Sequence, residues 1–127
     1  MEFVPIILWK KCDALFDIIK SRFEIVDIFT FTFSEDELLD KLKEMYFPYE
    51  ISRSDKRLES NSIKFIVLKI INPIYEIFTR KEHENKPLNK SIINFKEEMR
   101  KTYDATYFHS ADYLNESQHT FEIFKIK

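Results

Sequence analysis

The sequence predicts an α+β domain, an antiparallel sheet with helices packed on it. Three observations carry that prediction. Apolar runs rich in strand-forming residues recur at 3–9, 25–33 and 63–71. Segments with the 3.6-residue apolar spacing of helices lie between and after them. The chain has 127 residues, 44% of them hydrophobic and 13 of them Phe, which suits one domain with a full, ring-rich core.

Taken in order, 3–9 reads as a buried strand, with Pro5 confined to its start or to a free edge. Residues 12–23 form a helix whose stripe holds Leu15, Ile18, Ile19 and Arg22. In the strand 25–33, Phe29, Phe31 and Phe33 alternate with Thr30 and Thr32, the pattern of one face on a core. Ser34 and Glu37 form a capping box that starts a helix, with Leu38, Leu42, Met45 and Tyr46 inward and Pro48 as its stop. The polar stretch 50–62 is a loop with room for one helical turn, and Arg53, Lys56 and Arg57 read as its solvated cations. After the strand 63–71, Asn72-Pro73 predicts a further helix to about Arg80, with Asn as cap and Pro in the first turn. Residues 89–103 suit a helix with Ile92, Phe95 and Met99 inward. A short strand, 105–109, leads to a last helix capped by Ser110 or Asp112, with Leu114, Phe121 and Phe124 on the core. Reduced to its core the order is βαββαβ, the split βαβ or ferredoxin-like arrangement.

Composition narrows the function. Glycine is absent, so no Gly-rich phosphate loop or dinucleotide fingerprint exists. A net charge of −2 with both signs interspersed argues against a nucleic-acid partner. Cys12 is the single cysteine, which rules out an intrachain disulfide and fits a reducing, cytoplasmic compartment. The apolar start is too short to span a bilayer, so no membrane partner is expected. His83, His119 and Cys12 show no metal-ligand spacing.

Motifs at the two ends carry a resemblance. Ile6-Ile7-Leu8-Trp9 runs into Lys11-Cys12-Asp13-Ala14, and the following helix ends in Ser21-Arg22-Phe23-Glu24. Near the other end stand Met99-Arg100, then His109-Ser110-Ala111-Asp112, Glu116-Ser117 and Glu122-Ile123-Phe124. In this the chain resembles the nucleoside diphosphate kinases, which carry a Lys-Pro-Asp-Ala motif after the first strand and a His-Gly-Ser-Asp motif near the end. Cys12, Thr106, Ser110 and Ala111 depart from the family's pattern, and the middle of the chain matches by element order alone.

The resemblance implies a nucleotide-dependent phosphotransferase working through a phosphohistidine, with ATP or another nucleoside triphosphate and Mg²⁺ as cofactors and a homo-oligomer as the working state. It implies His109 as the phosphate acceptor, Glu122 as the carboxylate that orients it, and Lys11 and Arg100 as phosphate-binding cations, with Arg80 a further candidate. The chemistry fits these residue types. Neutral imidazole is a nucleophile at neutral pH, and cations offset the charge of the transferred group. Mg²⁺ would arrive with the nucleotide and be held largely by its phosphates and water. The reading requires Lys11 and His109 to lie side by side at one phosphate. Each residue also has a structural reading: His109 as a half-buried histidine bonded to a neighbour, the cations as solvated surface, Glu122 as an exposed helix position, Asp112 as a cap. A catalytically degenerate domain that binds a nucleotide or a protein is the alternative.

Overall fold

The computed structural model describes residues 1–60, 62–78 and 86–126. In chain order the elements are β1 (Glu2–Leu8), α1 (Asp13–Arg22), β2 (Glu24–Thr32), α2 (Glu35–Tyr46), a 3₁₀ turn (Lys56–Glu59), β3 (Ser62–Ile70), β4 (Tyr75–Ile77), β5 (Pro87–Asn89), α3 (Lys90–Met99), β6 (Phe108–Ser110) and α4 (Leu114–Ile123). β2, β3, β1 and β6 lie side by side in that order, every neighbouring pair antiparallel. β3 therefore splits the β1-α1-β2 unit, and β1 splits the pair β3 and β6. This α+β fold is compatible with the ferredoxin-like arrangement.

The two-residue period of strands sends alternate side chains to opposite faces, and each face has its own core. Val4, Ile6, Leu8, Ile66, Leu68 and Phe108 pack under α1 and α3 with Leu15, Ile19, Ile92 and Phe95. Ile7, Trp9, Ile63, Phe65 and Val67 pack under α2 and α4 with Leu38, Leu42, Ile123 and Phe124. Phe29, Phe31 and Phe33 are half-buried at the margin of this second core, and the rings of Phe31 and Phe33 stack 5.4 Å apart.

Local signals account for several boundaries. The capping box at Ser34 is complete: Ser34 Oγ accepts from the Glu37 amide at 3.1 Å, and Glu37 Oε1 accepts from the Ser34 amide at 3.0 Å. The Asn89 side chain accepts from the Ile92 amide and starts α3. Pro5 sits inside β1 without breaking the ladder. Its carbonyl accepts from the Ala111 amide, so its nitrogen faces the β6 side too, just past the last pair, Ile6 and Ser110.

Other expectations fail for reasons that the structure supplies. The helix predicted from Asn72 is instead the strand β4, paired with β5 through Tyr75–Asn89, Glu76–Leu88 and Ile77–Pro87. Asn72 has φ of 21°, whereas a helix N-cap needs extended backbone; asparagine tolerates positive φ better than most residues other than glycine. Neither Ser110 nor Asp112 caps α4. Ser110 belongs to β6, the Asp112 carboxylate pairs with Lys96 at 3.1 Å, and the N-cap is Tyr113, with no side-chain cap bond. Leu114 is exposed.

Replacing Ser34 with alanine removes one acceptor at the start of α2 and is expected to lower stability by about 1 kcal/mol. Urea unfolding checks this, and an unchanged midpoint would mean that α2 does not depend on its cap.

Candidate functional site

His109 is the middle residue of β6 and pairs with Ile7 of the central strand. The same cross-strand row continues through Phe65 and Phe29, so its imidazole faces α2 and α4. Only 14% of the side chain is exposed. Tyr46, the last residue of α2, closes over it. The Tyr46 hydroxyl lies 3.1 Å from His109 Nδ1, and the two rings meet edge to face at 5.6 Å. Glu116, in the first turn of α4, brings Oε1 to 3.7 Å from His109 Nε2, too long for a hydrogen bond but close for a charge.

Burial and charge fix the protonation states. Desolvation, with the charges of Lys96, Arg100 and Arg57 behind it, holds the imidazole well below its usual pKa of 6.5, so His109 is neutral at neutral pH. Burial raises the Tyr46 phenol, which therefore keeps its proton and donates it. The partners then assign the tautomer: Nδ1 accepts from Tyr46, and Nε2 carries the hydrogen towards Glu116. Burial, followed by the nearby Asp112, raises the Glu116 carboxyl to about 7. One Glu116 oxygen accepts from the Asp112 amide at 3.3 Å.

Three cations surround this group. Lys96 of α3 meets both Asp112 oxygens, at 3.1 and 3.2 Å, in a largely buried pair. Arg57 of the 3₁₀ turn forks onto the Asp55 carboxylate at 2.9 and 2.6 Å and lies 4.5 Å from the centre of the Tyr46 ring. Arg100, the C-cap of α3, donates to the carbonyls of Tyr103, Asp104 and Phe108 and stacks 3.9 Å from the Phe108 ring centre.

Of the predicted site residues, His109 and Arg100 belong to this neighbourhood, although Arg100 also ties down the loop between α3 and β6. The carboxylate beside His109 is Glu116, whereas Glu122 is exposed further along α4. Helical phase explains the difference: six residues rotate a side chain by roughly 240°. Lys11 and His109 do not share a cavity. Lys11 is exposed and lines a cavity of about 230 Å³ with Leu8, Phe16, Thr30 and Lys64, next to the sheet face that α1 covers. Arg80 lies outside the described residues. Sequence reasoning missed the roles of Tyr46, Glu116, Lys96 and Arg57. The available signal for Arg57 was Asp55 two residues before it, a spacing suited to a local ion pair that would hold a loop arginine in place. The chain matches no protein-family model, and no curated protein is significantly similar to it.

The raised Glu116 pKa makes stability depend on pH. Between 4.5 and about 7 the folded state holds more protons than the unfolded one, so this group's contribution falls as pH rises through that window. Glu116→Gln removes the term. Its stability relative to the parent is expected to climb from pH 4.5 to 7, by at most about 3 kcal/mol. Urea midpoints across that range test this, and a flat difference would show that Glu116 titrates normally.

Proposed function

We propose that the domain is a nucleotide-dependent phosphotransferase of the nucleoside diphosphate kinase type, working through phosphohistidine at His109. The observation that carries this reading is a neutral imidazole held between a phenol and a carboxylate amid three cations. Nδ1 bears the lone pair. As Tyr46 swings aside, Nδ1 attacks the γ-phosphorus of a nucleoside triphosphate, the bond from that phosphorus to the bridging oxygen breaks, and the diphosphate leaves with the electron pair. Glu116 offsets the positive charge that grows on the ring through Nε2. The oxygen of a second substrate then attacks the phosphorus, and the N–P bond breaks to restore neutral His109. Lys11 does not meet the condition of lying beside His109, so the reading departs here from the family's arrangement: the electrostatic role expected of Lys11 and Arg100 falls to Arg57, Lys96 and Arg100. Mg²⁺ comes with the triphosphate, and a homo-oligomer in the cytoplasm belongs to the same reading.

A catalytically degenerate nucleotide- or protein-binding domain is the second reading. Two observations favour it: Lys11 lines a separate cavity, and the Arg100 guanidinium is already bonded to three carbonyls.

Incubation with γ-labelled ATP and Mg²⁺ separates the two. The kinase reading expects acid-labile label on the parent protein and none on His109→Ala. Label that survives in His109→Ala overturns it. Thermal stabilisation by ATP without any acid-labile label supports the second reading instead.

A further inference from the structure

The Lys11 cavity lies against a row of the sheet that His109 does not join. Phe108, Leu8, Lys64 and Thr30 are consecutive cross-strand partners on β6, β1, β3 and β2, and Leu8 and Phe108 pack in the core under α1 and α3. Lys64 therefore projects from an interior strand onto that face, an uncommon place for an ammonium group. Its stem is half-buried, and its nitrogen sits 4.2 Å from the centre of the Phe16 ring. Lys10 sits 4.4 Å from the centre of the Tyr107 ring.

Lys10, Lys11 and Lys64 line one cavity of about 230 Å³, together with Thr30, Ser60 and Ser62. Asp13 is the only carboxylate in that lining among the described residues. Among the described residues, none of the three lysines has a carboxylate oxygen within ion-pair distance. Aromatic faces offset part of the charge of Lys10 and Lys64, and like charges lining one cavity disfavour one another. Cys12, the N-cap of α1, makes no side-chain cap bond, and it lines the same cavity with Asp13. Lysines and hydroxyl-bearing residues thus line one cavity, and both suit an oxyanion.

We infer that this cavity is a second anion site, for a phosphate or diphosphate group, on the opposite sheet face from His109. Its volume falls below the roughly 300–1,000 Å³ of pockets for drug-sized ligands, so it takes a phosphate end and leaves any attached group in solvent. Free pyrophosphate and the phosphate tail of a nucleotide offer the same chemistry. The site does not depend on phosphoryl transfer at His109.

Titration calorimetry of the full chain with inorganic pyrophosphate tests it. Binding is expected in the parent, weaker as salt is raised, unchanged in His109→Ala, and at least tenfold weaker in Lys64→Met, which keeps the stem that packs on Phe16. Lys64→Arg keeps the charge and is expected to bind like the parent. Should Lys64→Met fail to fold, the double variant Lys10→Met, Lys11→Met on the loop after β1 carries the same expectation. Absence of pyrophosphate binding, parent-like binding in the methionine variants, or loss of binding in His109→Ala would each overturn the inference. A parallel titration with ATP separates the two sources: tighter binding than pyrophosphate points to a nucleotide, equal or weaker binding to the free anion. Loss of acid-labile labelling at His109 would leave all of these outcomes unchanged.

Discussion

Everything else in this fold is arranged around the pairing of β1 on both of its edges. Along its full length β1 is laddered to β3, and its last three residues are also laddered to β6. The second pairing is short, yet it brings His109 from the far end of the chain to the edge of the sheet, beside the interior strand β1. It also separates the two cores, because Ile7 and Leu8 send their side chains to opposite faces. A proline in such a strand ordinarily breaks it. Here Pro5 turns its missing amide towards the β6 side, just past the last paired residues, and leaves the full-length ladder to β3 intact.

The chemistry of the candidate site follows from where that pairing puts an imidazole. A charged histidine beneath α2 and α4 would lose its hydration and face Lys96, Arg100 and Arg57, so the ring stays neutral. The carboxyl of Glu116 meets the opposite cost, the loss of its own hydration beside Asp112, and its ionisation shifts upward. Burial therefore disfavours the charged form of both groups, leaving the ring neutral and the carboxyl partly protonated near neutral pH. Buried groups can remain close together in that state without a full salt bridge, which agrees with the 3.7 Å separation of Nε2 and Oε1.

How much of this was legible in the sequence depended on how local each signal was. Ser34 and Glu37 satisfy one another within one turn, and Asn89 reaches only to Ile92, so both helix starts could be read directly. Asn72-Pro73 failed because the competing partner is remote: β4 finds its ladder at Pro87–Asn89, where Leu88 is fully buried. The motif at His109 named Glu122 as the carboxylate beside the ring, whereas Glu116 stands there. A motif counts residues, whereas a helix selects by angle, and Glu116 rather than Glu122 has the phase that faces the ring. Arg57 and Tyr46 were invisible as a pair, since one lies in a polar loop and the other at a helix end, and only the packed fold stacks them.

The orientation of His109 is held by its neighbour more than by its own contacts. Phe108 and His109 are adjacent in β6, so exchanging their faces would take a slip of one residue in the ladder to β1. Phe108 is fully buried and packs on Phe95 with ring centres 5.8 Å apart, and Arg100 covers its face while bonding its carbonyl. Bringing that ring to solvent would cost about 1.5–3 kcal/mol, and the slip would also push an imidazole into an apolar core without a partner. The single bond between Tyr46 and Nδ1 contributes about 1 kcal/mol by comparison. The apolar core under α1 and α3 thus fixes the register, and the register presents the imidazole to Tyr46 and Glu116. On this view Arg100 acts on His109 twice, through its charge and by clamping the residue whose burial decides which way the histidine faces.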